Sequence, residues 1–250
     1  MRQLAMAVRL VALLLAAPLS LAAGPALAGP PFITDDAEPT DTGHWEIYAF
    51  ADGTRTPGQT NGSFGLDFNY GPVKDLQITA VVPFDYATGA DPTFGKVELA
   101  AKYRFLHQSP GSPMPDVAFF PRVFLPTDKA GGRASLLLPL WAQKDFGPWS
   151  LFGGGGYTIN PGPNPGSANR NFWQAGAVLS RPVSKRLTLG AELYHQTPDS
   201  VDAKPYTALN LGALYRLTDH WSLLASGGPG LQNARDQGRY VFYVSLKADY

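Results

Sequence analysis

The 250-residue chain has no cysteine. Disulfides, zinc–thiolate centres, iron–sulfur clusters, a cysteine nucleophile and a lipoprotein anchor are therefore excluded. Charge is also scarce. Only 16% of residues are charged, against roughly 25% in an average globular chain, and 20 basic residues balance 20 acidic ones. Without a basic excess there is no electrostatic footprint for nucleic acid. Beyond the first 28 residues no run approaches the ~18 apolar residues of a membrane helix. One of the longest, Leu136 to Ala142, carries Pro139 inside it. The chain is instead rich in 27 glycines, 23 prolines and 12% aromatic residues. That is too aromatic for a disordered chain and too rich in helix breakers for a helical one.

Residues 1–28 read as a secretory signal. Arg2 and Arg9 form a positive start, Leu10 to Ala17 is an apolar run too short to span a bilayer, and Ala26-Leu27-Ala28 fits the small-x-small cleavage rule. Those arginines are the leader's only charges, so the mature chain carries 18 basic against 20 acidic residues. It is expected to work outside the cytoplasm.

Period-2 alternation recurs through the rest. Phe64, Leu66, Phe68 and Tyr70 alternate with Gly65, Asp67 and Asn69, and Leu187, Leu189, Ala191 and Leu193 with Thr188, Gly190 and Glu192. Twelve strands are predicted, at 44–51, 62–70, 76–84, 96–106, 117–125, 135–145, 149–159, 171–181, 187–196, 206–217, 221–228 and 239–250. Ten or fourteen are the alternatives. The links alternate too. Short ones (Gly71 to Asp75, Gly147-Pro148, Pro182 to Arg186, Thr218 to His220) interleave with longer ones at 52–61, 85–95, 126–134, 160–170, 197–205 and 229–238, and 107–116 is the exception.

This pattern predicts an all-β fold over 43–250, a single antiparallel transmembrane β-barrel of about 12 strands. Both termini are expected in the periplasm, and the chain in the outer membrane of a Gram-negative bacterium. A soluble β-sandwich also alternates, but its outer faces are charged. Here the polar face is sparse and small. Only a closed barrel shows an apolar face outward on every strand with each backbone group paired. The last strand alternates through Tyr240, Phe242, Val244, Leu246 and Ala248 to a terminal Tyr250. It resembles the closing-strand signal read by the outer-membrane assembly machinery, so that machinery and outer-membrane lipid are the expected partners.

Specific motifs add a resemblance. Gly29 to Pro39 is followed by Gly43-His44-Trp45-Glu46-Ile47-Tyr48. Further on come Asn69 to Gln77, Lys102-Tyr103-Arg104-Phe105, Leu125-Pro126-Thr127 and Gly153 to Tyr157. Together they resemble the bacterial outer-membrane barrel family named for the MetA pathway of phenol degradation, often called a transporter. The resemblance implies porin-like passage of small, aromatic solutes. It implies no catalytic residue.

If the apolar set faces lipid, the opposite set faces the lumen. That set holds the charges Glu46, Asp67, Glu98, Lys102, Arg104, Arg122, Glu192, Arg216 and Lys247, and the aromatics Tyr48, Phe50, Phe120, Phe124, Trp141, Phe152, Phe172, Tyr194 and Tyr243. Charges of both signs in a low-dielectric barrel should pair. Two readings stay open: a polar and aromatic path for a small-molecule solute, or a filled lumen in a structural or partner-binding barrel. Twelve strands lie between the barrels that side chains fill and those that leave a channel. Pro121 and Pro139 cannot donate to a ladder, and irregular pairing is expected at both.

Residues 29–42 are too polar and proline-rich for a strand. Their acids Asp35, Asp36, Glu38 and Asp41 are positioned to meet Lys102, Arg104 and Arg122, as an N-terminal plug or periplasmic latch; a disordered leader and partner docking are the other readings. They form no EF-hand loop, so no metal is expected, and no cofactor either. Enzyme signatures are thin. A lipid-hydrolysing barrel needs Ser, His and a third polar group together. His195 is the best candidate, with Ser180 or Ser200 as partner. No Gly-x-Ser-x-Gly elbow is present, and an enzyme is not expected.

Overall fold

The computed structural model describes residues 31–109, 111–127, 132–160 and 170–250. The leader expected at 1–28 lies outside them, as do parts of the links at 107–116, 126–134 and 160–170. The strands are β1 (Trp45–Thr56), β2 (Gln59–Val73), β3 (Leu76–Ala87), β4 (Val97–Leu106), β5 (in two pieces, Asp116–Phe119 and Arg122–Leu125), β6 (Ser135–Phe146), β7 (Trp149–Ile159), β8 (Phe172–Pro182), β9 (Leu187–Gln196), β10 (Tyr206–Arg216), β11 (Trp221–Gln232) and β12 (Tyr240–Asp249). Each pairs antiparallel with the next. β12 returns to β1 from Glu46↔Asp249 to Arg55↔Tyr240. The sheet is thus a closed twelve-stranded barrel with no free edge. A two-residue strand, Thr93–Phe94, adds to β3, and one short helix, α1 (Ala234–Gln237), sits in the link before β12.

The two faces are inverted relative to a water-soluble protein. Leu99, Leu140 and Leu193 on the outer face are about half exposed, at 47%, 51% and 52%. Gln143, Glu192 and Asn210 on the inner face are buried. An apolar exterior around a polar interior is stable only against hydrocarbon. No helix among the described residues is long and apolar enough to cross a membrane; strands make the crossing. Aromatics mark its rims. Trp45 stacks on Tyr70 at 4.7 Å beside the short turns, and Tyr157 meets Trp173 at 4.7 Å near the long links.

Several boundaries differ from expectation. The 52–61 link is a two-residue turn, Pro57-Gly58, with Thr56 paired to Gln59. Gly58 takes φ 81°, as such a turn requires. The hairpin continues beyond the apolar belt with polar residues on both faces, where apolar alternation gives no signal. β11 likewise runs on to Gln232. Of the two prolines, only Pro121 interrupts its strand, and β5 breaks between Phe119 and Arg122. β6 runs unbroken through Pro139, which lies opposite Gly156. Its carbonyl still accepts from the Phe120 N–H at 3.2 Å, so its missing donor does not end the pairing.

Candidate functional site

Residues 31–42 lie inside the barrel. The segment enters at the short-turn end, where Thr42 bridges Gly71. The Thr40 N–H and hydroxyl donate to Gln77 Oε1 at 2.8 and 3.0 Å. Glu38 Oε1 accepts from Gln143 Nε2 at 3.0 Å. Lys102 Nζ reaches Asp35 at 3.0 Å, Asp36 at 3.4 Å and the Glu38 carbonyl at 3.2 Å. The Thr34 N–H donates to Glu192 Oε1 at 2.6 Å, and the Pro31 carbonyl accepts from Ser226 Oγ at 2.5 Å. Twelve residues thereby contact β3, β4, β6, β9 and β11.

Phe32 is the segment's apolar anchor. It lies over Gly190 and Gly212, directly opposite one another on β9 and β10, with Phe152 at 6.4 Å. A Cβ on Gly212 would stand 2.5 Å from the ring, and one on Gly190 2.8 Å. Gly176 is shaped in the same way around Thr34. These glycines are the seat. Gly212→Val should therefore lift Phe32 without weakening a strand, since valine suits the pleat better than glycine. Faster proteolysis of the segment is the expected result, with barrel unfolding unchanged. Phe32→Ala in the same chain should restore slow cleavage.

The expected lumen charges fall into separate clusters. Arg122 Nε meets Glu98 at 2.6 Å, and Lys247 meets Glu46 at 2.8 Å and Asp249 at 2.7 Å. Arg104 holds Asp75 in the β2–β3 turn at 2.9 Å, at the mouth. Among the described residues no cation lies within ion-pair distance of Glu192; Asn210 Nδ2 and the Thr34 N–H satisfy its oxygens. A polar ladder runs from Asp67 to Asn69 to Gln77 and on to Thr40. Arg216 departs from expectation: its strand ends there, and the side chain is exposed at the rim. Asp41 also departs, exposed at the entry turn rather than facing Lys102.

The expected lumen aromatics Tyr48, Phe120, Trp141, Phe152 and Tyr194 are buried on the inner face. Phe50, Phe124, Phe172 and Tyr243 are half-buried there. Phe120 sits at the β5 break between the Lys102 and Arg122 cations, 5.0 and 5.1 Å from its ring. Gly154 and Gly156, within the glycine run of β7, give room to Trp141 and Pro139. Of the closing-strand residues, Tyr240, Phe242, Val244, Leu246 and Tyr250 are exposed on the outer face. His195 is exposed, and its Nδ1 lies 2.8 Å from Thr207 Oγ1. Ser180 is buried on the inner face, so the barrel wall separates that pair.

Beside the segment remains a cavity of about 390 Å³, lined among others by Ile33, Tyr48, Phe50, Asp52, Asp67, Phe120 and Tyr243. The segment fills the short-turn half and the β8–β11 side. The open volume faces β12 and β1 to β4.

No protein-family model and no curated protein matches the chain, so the phenol-degradation resemblance rests on its motifs alone. Solved structures do match. An outer membrane channel from Pseudomonas putida F1 is 14% identical, with a TM-score of 0.65 over 86% of this chain and 98% of that one. The translocator domain of the autotransporter NalP from Neisseria meningitidis is 13% identical, with a TM-score of 0.48 over 86% and 90%. The outer membrane phospholipase A from Escherichia coli is 14% identical, with a TM-score of 0.43 over 88% and 91%. The first likeness shows the fold. With the closed sheet and apolar exterior, it gives this chain the fold of an outer-membrane β-barrel.

Proposed function

We propose that the barrel is a channel for small apolar and aromatic molecules, narrowed by residues 31–42 to the chamber beside them. The seated segment carries this reading: a specific polar and aromatic seat closes one side of the lumen and leaves an aromatic-walled chamber on the other. The short turns and the C-terminus lie in the periplasm. The segment therefore enters from within the cell envelope, and the chamber opens toward the outside. The closing strand is read by the assembly machinery during insertion. No catalytic role is assigned to His195. The motif resemblance to phenol-degradation barrels supports aromatic solutes.

The test is solute entry into liposomes carrying the refolded mature protein, with phenol, a sugar and an amino acid compared. Faster phenol entry than through empty liposomes, with no gain for the others, is the expected result. No gain for any solute, in the intact protein and after the segment is removed, would leave a structural barrel. The extensive polar network supports that second reading.

The seat should also be pH-dependent. Burial pushes the Glu38 carboxyl up to about 8, reinforced by the Asp36, Asp145 and Asp116 charges and opposed by Arg104. Burial also raises Asp36 to about 6, against the pull of Lys102. Both groups titrate in the ordinary carboxylate range once out of the barrel, so seating takes up protons. The seat is strongest below that range and loosens as pH rises from about 4 to about 8. Protease accessibility of the segment should rise across this window. Glu38→Gln, which cannot ionise, should flatten the upper part of the profile; an unchanged profile would remove Glu38 from the account.

A further inference from the structure

The chamber beside the segment has an unbalanced chemistry. Seven carboxylates line it against two cations, Lys102 and Arg122. Both cations are engaged, Lys102 by Asp35 and Asp36 and Arg122 by Glu98. Lys247 serves Glu46 and Asp249. Asp52 and Asp67 are left, and among the described residues neither has a cation within ion-pair distance. Asp52 accepts from the Ser63 N–H at 3.2 Å, and Asp67 from Asn69 Nδ2 at 2.9 Å.

The β10 wall repeats the pattern with a different group. Asn210 is 2% exposed. Its Nδ2 is committed to Glu192 at 2.6 Å, which fixes the amide's orientation. Its Oδ1 is buried without a donor, and the residue lines the same cavity. A buried acceptor without a donor carries a desolvation penalty that a hydrogen-bonding ligand relieves. Between the two walls stand aromatic faces. Phe50 and Tyr243 lie nearly parallel, 6° apart, with ring centroids at 6.4 Å, and Tyr243 pairs directly across from Asp52.

We infer that this chamber binds a small organic ammonium ion carrying an aromatic or apolar body. An ammonium supplies the donors that the acceptor-lined walls lack and the positive charge that Asp52 and Asp67 lack. The aromatic faces take its body by stacking and its charge by cation–π attraction. An anion meets the unpaired carboxylates, and a neutral ring leaves them without a counter-charge in a low-dielectric chamber. The volume fits one ring with a short side chain. The inference names the solute class of the channel proposed above and rests on that reading for its physiological sense.

Titration calorimetry on the intact mature protein in nonionic detergent tests it, with benzylammonium, benzyl alcohol and benzoate as probes. Benzylammonium should bind at least about tenfold tighter than benzyl alcohol, a gain within reach of a desolvated cation–π and carboxylate contact. Benzoate should not bind. Asp67→Asn and Asp52→Asn should each remove most of the ammonium preference, with heat-modifiable mobility showing that the variants are folded. Equal affinity for ammonium and alcohol, or a preference that survives both substitutions, would overturn the inference. Flux separates it from the channel reading. Tight ammonium binding with no flux after removal of the segment keeps the site and sinks the channel. Flux with no ammonium preference does the reverse.

Discussion

Deleting residues 29–42 should turn a barrel closed to ions and sugars into an open pore. The segment supplies the Lys102 counter-ions, the Thr34 and Thr40 donors and the Phe32 ring over the β9–β10 glycines. Nothing else among the described residues occupies those positions. Single-channel recording in planar bilayers should show steps absent from the intact protein. Entry of a small sugar into liposomes should rise on the order of tenfold, because a twelve-stranded lumen emptied of its filler is wide enough for water and small solutes. The open pore should prefer cations. The wall still holds Glu46, Asp52, Asp67, Glu98 and Glu192 against Lys102, Arg122 and Lys247. A deleted protein that stays silent, with its barrel intact by heat-modifiable mobility, would mean the wall side chains close the lumen alone.

Lys102→Met should release the segment through a single side chain. The Lys102 side chain is 4% exposed and the Asp36 side chain 1%. Removing one partner of a buried pair leaves the other charge uncompensated, at a cost of about 3–5 kcal/mol. Lys102 faces two carboxylates and a carbonyl, and the barrel itself is held by strand pairing. The penalty therefore falls on the seat rather than on the fold. Protease should cut the segment rapidly, with leak approaching that of the deletion. Adding Asp35→Asn and Asp36→Asn removes the stranded charges and should largely restore seating, a non-additivity that only a direct coupling produces. If the triple variant leaks as much as the single one, Lys102 acts on the barrel wall instead.

The strands were legible because one physical demand repeats along them: a residue facing lipid must be apolar, and its neighbour need not be. Twelve strands and the inner set around Lys102, Arg122 and Lys247 followed from that alternation alone. It loses its force where the strands leave the membrane, so the Pro57-Gly58 hairpin read as a long loop and Arg216 as a lumen charge. The acids of the N-terminal segment pointed to Lys102, since unlike charges in a closed space must find one another. Phe32 was not legible in that way. A ring beside a polar stretch has no partner until two strands are laid side by side, and only then do Gly190 and Gly212 coincide beneath it. The usable signal was glycine at inward positions of neighbouring strands, where a lumen-lining side chain is expected. Pro139 misled for the opposite reason: it lacks a donor but keeps its acceptor.

The segment is made first, yet its partners come late. Thr34 reaches Glu192 across 158 residues, and Pro31 reaches Ser226 across 195. Contacts of such separation form only after the chain between them is ordered. The groove for Phe32 does not exist until β9 and β10 are paired. Insertion therefore passes through a barrel whose wall is complete and whose interior is still vacant. Occupation of that interior is the final step of maturation, and a barrel with a misregistered late strand would remain leaky. Seating thus doubles as a proofreading mark: it reports that the strands the segment touches, from β3 to β11, have found their places.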